Sequence, residues 1–276
     1  MDVQPFPLPG FRLTLDCTLA YLGLIVLLPL LALALKATSL SWAAYWTIIS
    51  SPRALSSYRV TLTGALIATV WNAIYGLLMA WVLVRYAFSG RRLLDALMDL
   101  PMALPTAVAG IALTTLFAPK GWFGHLLSPL GIKVAYTQLG IGIAMAFTSA
   151  PFVVRTVQPV LEEIEPEIEE AARTLGAGSL TILWRILWPA IFPAFLAGCA
   201  LSFARSLGEF GAVIFIAGNL PLKTEITALL TLIRLEEFDY PAATAIASVL
   251  LIAAFLMLAL TNAVQLYSLR HGEHSR

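Results

Sequence analysis

A chain of 276 residues with 59% hydrophobic and only 12% charged residues lies far from the soluble average of about a quarter charged. A net charge of +1 leaves no basic field for nucleic acid and no acidic tail. The apolar residues come in long runs instead of alternating with polar ones, which makes lipid the solvent for most of the chain.

The first segment, MDVQPFPLPGFR, is not followed by a small-residue cleavage site, and the apolar run after it is of full span length. It is therefore expected to be retained, not removed as a signal peptide. Spans are expected at about 17–35, 60–84, 100–119, 134–154, 189–217 and 241–267, each long enough to cross roughly 30 Å at about 1.5 Å per residue. The regular inside-outside alternation of a membrane barrel is missing, and backbone polar groups cannot be left open to lipid. The expected fold class is an all-α membrane protein, one transmembrane domain over 1–276 with six helices and no soluble appendage. Placing the N-terminus inside puts nine Lys/Arg in cytoplasmic segments and seven outside, which favours cytoplasmic N- and C-termini.

Within the spans a few residues stand out. Asp99, Pro101 and Pro105 open the third span. Two prolines four apart leave backbone groups unpaired, and a broken helix at membrane depth is tolerated where it lines a cavity. Thr106, Thr114, Thr115, Thr148 and Ser149 could add hydroxyls to such a cavity or bond back to their own carbonyls. Arg205 and Glu209 are the ionisable pair well inside a span, at i and i+4, so each can neutralise the other. Two readings stay open for them: an internal pair that fixes the fifth helix, or a pair lining or gating a pathway. Gly208 and Gly211 beside them allow close packing or a local break. Asn72, Asn262 and Gln265 suit interhelical hydrogen bonds. Cys17 and Cys199 read as small hydrophobes, and His271 and His274 as a terminal tail. No pattern for covalent or metal chemistry is present, so neither catalytic nor metal-binding residues are expected.

Residues 162–188 are different. EEIEPEIEE packs six glutamates into nine residues. Pro166 suits the first turn of a helix, and the glutamates around it suit the positive end of the helix dipole. Ile168, Ala171, Ala172 and Leu175 then form one apolar stripe. Gly176 falls where a left-handed C-terminal cap is needed. Ser179 is placed to cap a second helix bearing Leu180, Leu183, Trp184 and Leu187, with Pro189 and Pro193 leading into the fifth span. The expectation is a helix-turn-helix of about ten residues each. It could lie on the bilayer, but an anionic surface would repel the glutamates, so docking into a protein partner fits better.

Glu170-Ala171-Ala172, then Gly176, Ile186 and Pro189, resemble the EAA motif of ABC-importer permeases, with Trp188 where the family often has Leu. DALMDLPMALPTAVAG, FTSAPFVVRTVQPVLEE, SFARSLGEFGAVIFIAGN and EEFDYPAATAIASV resemble the sulfate/thiosulfate permeases of the CysT type over nearly the whole chain. The resemblance implies an ABC type I importer permease with a cytoplasmic coupling helix, in the bacterial inner (cytoplasmic) membrane. It implies that Glu170, Ala171, Ala172, Gly176, Ile186 and Pro189 couple to an ABC ATPase dimer. A second homologous permease and an extracytoplasmic sulfate/thiosulfate-binding protein are the other expected partners. Asp99, Pro101, Pro105, Arg205 and Glu209 are the candidate pathway or gate residues. No G-x-x-x-x-G-K-[ST] is present, so no cofactor is expected on this chain, and ATP with Mg belongs to the ATPase. The chain is thus expected to be a transport subunit and not itself an enzyme. A molybdate/tungstate permease, which shares the SFAR-x-x-GEFG-like and GN-x-P segments, and a proton-coupled transporter using Glu209 are the alternatives. An intramembrane enzyme lacks any paired nucleophile and base.

Overall fold

Prolines, glycines and hydroxyl caps set where several of the helices start and stop. The computed structural model describes residues 10–272, with the side chains of residues 260 and 264–272 outside the described set. The N-terminal segment before Gly10, the side chains of Gln265 and His271, and His274 therefore lie outside the described residues. Among those described, all regular structure is helical. In chain order the helices are α1 (Phe11–Thr38), α2 (Trp42–Ile49), α3 (Pro52–Arg85), α4 (Arg91–Ala103), α5 (Thr106–Phe117) and α6 (Trp122–Leu127, followed by a 3-10 turn at Ser128–Leu130), then α7 (Gln138–Glu163), α8 (Pro166–Thr174), α9 (Ser179–Leu207), α10 (Val213–Ile216), α11 (Thr227–Glu236) and α12 (Tyr240–Gly272). Among the described residues, helices α1, α3, α7, α9 and α12 are long and apolar enough to cross a membrane, and the pair 91–103 and 106–130, bent by 111°, makes a sixth when counted as one broken span. The protein is a multi-pass membrane protein.

Ser41 and Ser51 accept from Ala44 N and Ala54 N and so cap α2 and α3, the latter with Pro52 in its first turn. Thr137 does the same for α7 through Gly140 N. The fourth helix crossing therefore starts at Gln138, later than the expected 134, because Tyr136 is left-handed (φ 65°) and Thr137 supplies the cap; it runs on to Glu163.

Three expectations need correction. The third span does not begin at 100: α4 begins at Arg91, and at the expected proline break the chain turns at Leu104. Leu104 precedes Pro105 and is pushed out of the helical region (ψ 137°), as residues before proline are. Second, the turn at 162–188 is not followed by a short separate helix. Ser179 is the first helical residue, Gly178 occupies the capping position without a side-chain bond, and α9 runs unbroken through Pro189 to Leu207. A widened π-turn at Leu183–Leu187 makes this possible, since a proline ring clashes with the carbonyl four residues back, here that of Arg185. The same device at Leu22–Leu27 precedes Pro29 in α1. Third, the fifth span does not stay helical to 217: α9 stops at Leu207, and a short loop separates it from α10.

Helices α3, α7 and α9 pack together as the centre. In lipid there is little hydrophobic drive between helices, so small residues that let backbones meet carry the association. A Cβ added at Gly76 of α3 would stand 2.7 Å from Val153 Cβ of α7, and one at Gly198 of α9 would stand 2.8 Å from Val153 Cα. Only glycine lets both neighbours close on Val153. Asn72 of α3 sits at the same junction, fully buried. Its amide donates to Ala146 O (3.0 Å), Ser149 Oγ (2.8 Å) and Ser202 Oγ (3.1 Å), and Ser206 joins through Ser149. One side chain thus bonds both partner helices, which is the interhelical role expected of it. By contrast no residue of α1 is buried.

Asn72→Leu should lower stability by about 1–2 kcal/mol, given that interhelical hydrogen bonds contribute about 0.6 and at most about 1.7 kcal/mol each. The check is an unfolding titration in mixed micelles; an unchanged midpoint would remove Asn72 from this role.

Candidate functional site

Two places on the chain carry most of the residues singled out by the sequence. The first is the turn around α8. Pro166 begins this helix, with Glu167 and Glu169 in its first turn. Its end is a complete Schellman motif: Ala177 N donates to Ala172 O and Gly176 N to Arg173 O, both at 3.0 Å, with Gly176 left-handed at φ 85°. Such a conformation is nearly free for glycine and costs about 1–2 kcal/mol for most other residues. Nothing lies within 4 Å of a Cβ added there, so the demand for glycine is conformational and not steric.

Glu170, Ala171 and Gly176 are exposed, Ala172 is half-buried, and Ile186 and Pro189 sit further along on α9, half-buried and exposed respectively. The expected apolar stripe on the second helix splits into two faces. Leu187, with Ile182, is buried in the bundle, whereas Leu180 (72% exposed) and Trp184 (61%) face outward beside Leu175 (88%) and Ile168 (47%). Large apolar side chains exposed around one tight turn are a contact surface without its partner. Glu169 differs from its neighbours. It turns inward and meets Arg85 at the end of α3 at 2.7 Å and Arg173 at 3.2 Å.

The second place is the break after α9. Gly208 leaves the helix (ψ 3°), and Glu209 N still reaches Ser206 O at 3.1 Å. The Glu209 carboxylate is 1% exposed and uses both oxygens: Oε2 meets Arg205 at 2.7 Å, and Oε1 accepts from Ala212 N at 2.8 Å. It therefore neutralises Arg205 and satisfies a backbone donor freed by the break. The loop it holds packs on the start of α5, where a Cβ at Gly211 would lie 2.1 Å from Thr106 Oγ1 and one at Gly110 would lie 2.4 Å from Ala212 O. The break at Gly208 and the elbow at Pro105 are thus in contact through their next residues. Thr114, Thr115 and Thr148 bond to carbonyls of their own helices.

Asp99 and Pro101 lie elsewhere. Asp99 accepts two hydrogen bonds from Arg155 (2.8 and 2.7 Å), which also reaches Asp95 at 2.6 Å and Gln158 at 2.9 Å. It anchors α4 to α7. Pro101 lines an apolar cavity of about 640 Å³ with Trp71, Asn72, Met98 and Phe147, and neither Arg205 nor Glu209 is among its lining residues. A fully charged anion has little to bind there.

Sequence reasoning missed four ion pairs that span the fold among the described residues: Arg85–Glu169, Arg155–Asp95, Arg155–Asp99, and Arg53 with the buried Glu225 (2.7 and 2.8 Å). The partners are far apart in the chain, and no local spacing signals them. The i,i+4 acidic pair Asp95/Asp99 was the one local hint that a cation was wanted nearby.

The family described as binding-protein-dependent transport system inner membrane component matches residues 72–271. The sulfate transport system permease protein CysT of Salmonella typhimurium is 58% identical over 258 residues, covering 94% of this chain and 93% of that protein. The protein of the same description from Escherichia coli is also 58% identical, with the same coverage. Its counterpart in Synechocystis is 47% identical over 92% of this chain and 89% of that protein. Among solved structures, a bacterial ABC transporter involved in import of the acidic polysaccharide alginate matches with a TM-score of 0.75 at 16% identity, covering 92% of this chain and 94% of that one. The inward-facing MetNI methionine ABC transporter matches at 0.58 and 14%, covering 83% and 99%. At these identities the likeness establishes the fold, that of ABC importer permeases.

Glu209→Gln should lower stability by about 1–2 kcal/mol, since it strips the partner from Arg205, a charge one-third exposed within the span, while leaving an oxygen for Ala212 N. Thermal unfolding in detergent checks this; wild-type stability would leave Glu209 free for a role other than holding the break.

Proposed function

The chain belongs to the family of binding-protein-dependent transport system inner membrane components, and we propose that it is the membrane-spanning permease subunit of an ATP-driven sulfate/thiosulfate importer. The 58% identity across 94% of the chain to sulfate permeases supports the substrate class. The observation that carries the coupling role is the exposed apolar turn Leu175–Leu180–Trp184 built on left-handed Gly176.

On this reading a dimer of ABC ATPases docks at that turn, with Glu170, Ala171, Ala172 and Gly176 at the contact and Ile186 and Pro189 carrying the connection into α9. ATP and Mg bind the ATPase. A second homologous permease completes the pathway, and an extracytoplasmic sulfate/thiosulfate-binding protein delivers the anion. The subunit sits in the bacterial inner membrane with both termini cytoplasmic. Closure of the ATPases brings the two coupling helices together, and the spans rock from inward-open to outward-open. Contacts along the way must be weak, because a tight site would trap the anion. Arg205, Glu209 and the Pro105 elbow are the proposed pathway group. Asp99, committed to Arg155, and Pro101, in the apolar cavity, support the elbow instead. A proton-coupled mechanism through Glu209 is disfavoured by its two existing partners, which hold the carboxylate in place.

Labelled sulfate uptake into proteoliposomes holding this chain, the partner permease, the ATPase and the external binding protein should require internal ATP and be blocked by thiosulfate but not by molybdate. Block by molybdate alone would move the substrate; uptake driven by a pH gradient without ATP would overturn the mechanism. Leu175→Asp, at a site 88% exposed, should leave stability unchanged within about 0.5 kcal/mol and weaken ATPase association by about tenfold or more, read by co-purification.

A further inference from the structure

Helix α8 is joined to the bundle by chain at two points. Its N-terminus follows α7 through Ile164 and Glu165, and its C-terminus leads into α9 through the Gly176–Gly178 turn. The central bundle, however, has three long helices, α3, α7 and α9. Helix α3 has no chain connection to α8, because α4 to α7 intervene.

An ion pair supplies that missing link. Glu169 is a charged residue of α8 with its side chain only 12% exposed, against 20% for its partner Arg85, the last residue of α3. Apart from Glu169 and Ala172, every residue of α8 is exposed. The charges meet at 2.7 Å without an aligned hydrogen bond, and Arg85 Nε has no partner of its own. Arg85 is held from behind by Trp81, whose ring centroid lies 5.5 Å from the guanidinium carbon, within cation–π range. Arg173 closes on the same carboxylate at 3.2 Å. Glu169 thus points away from the exposed face that carries Glu170, Leu175 and Leu180, and into the end of α3.

We propose that the Arg85–Glu169 pair is a third tether of the coupling helix, a positioning contact that makes α3 follow α8 together with α7 and α9. This rests on the importer reading above. With the tether intact, displacement of α8 reaches all three central helices at once. Without it, α7 and α9 are pulled while α3 follows only through its packing in the bundle and the Asn72 hydrogen bonds, which lie far from α8, and part of each stroke is lost.

The test uses the whole complex in proteoliposomes, with wild type run alongside, and reads labelled sulfate taken up per ATP hydrolysed. Glu169→Gln and Arg85→Gln should each keep the ATPase through purification and hold its basal hydrolysis within about twofold, yet lower uptake per ATP by about fivefold or more, the lower end of typical coupling energies. The exchanged pair Arg85→Glu with Glu169→Arg should recover most of the ratio, which a mere loss of volume would not. If either assembled single variant keeps the wild-type ratio, the tether is overturned. If both lose the ATPase, or the assembled exchange recovers nothing, the pair belongs to the docking surface or the fold and the proposal fails. If wild type itself shows no ATP-driven uptake, the importer reading falls and the tether with it.

Discussion

Lipid offers helices almost no hydrophobic reason to associate, so this fold depends on how closely α3, α7 and α9 approach one another. That approach is set at Val153, where Gly76 from one side and Gly198 from the other leave no room for a methyl group. Once the backbones are that near, short polar side chains can bridge them, and the Asn72–Ser149–Ser202 group does so in the same layer. Longer side chains at either glycine would part the helices and pull those hydrogen bonds beyond reach. Packing and polar bonding are therefore not separate contributions here; the first is the condition for the second.

Away from that layer the architecture changes character. At the end of the bundle that carries α8, Arg155 spans to Asp95 and Asp99 and holds the α4 elbow, while Arg85 meets Glu169. At the opposite end, Arg53 grips the buried Glu225, and Thr61 accepts from Thr227 N at 2.9 Å. Charged residues cost little where water or headgroups reach them and a great deal at mid-depth. The centre is accordingly built from small residues and hydroxyls and the rims from guanidinium–carboxylate pairs. Arg205–Glu209 departs from that division, and it occurs where the fifth crossing is broken and backbone donors need an acceptor.

The sequence made the crossings legible because span length is a physical requirement that a run of apolar residues either meets or does not. Gly176 was legible for a similar reason: an amphipathic stripe that stops before a glycine calls for a left-handed cap, and the Schellman bonds are there. What stayed hidden were the places where one local rule overrides another. Pro189 reads as a helix break, but a widened turn absorbs it. Pro101 and Pro105 read as a break within the span, but not as a bend of 111°, which follows from Leu104 leaving the helical region ahead of Pro105. Ser179 reads as a cap, though Gly178 takes the capping position. The pair Arg205/Glu209 could be read from its i,i+4 spacing, but Glu209's second bond, to Ala212 N, exists only because Gly208 ends the helix. The long-range ion pairs had no local signature at all.

The electrostatics of the broken crossing bear on what an anion could do there. The Arg205 side chain is one-third exposed while that of Glu209 is 1% exposed, so the carboxylate is sequestered and the arginine is partly accessible. Its charge is matched, yet a guanidinium has five N–H donors, and the pair with Glu209 engages NH1. On the proposed reading, a passing sulfate would meet a cation whose net field is already cancelled but whose remaining donors can point at an oxyanion. Such a site gives hydrogen bonds without the full Coulomb attraction of an unpaired arginine, which at mid-depth would be strong enough to hold a doubly charged ion. On that reading, keeping Glu209 buried and doubly bonded would keep the attraction weak, and the contact that lets the helix break inside the membrane would also set how lightly the anion is held.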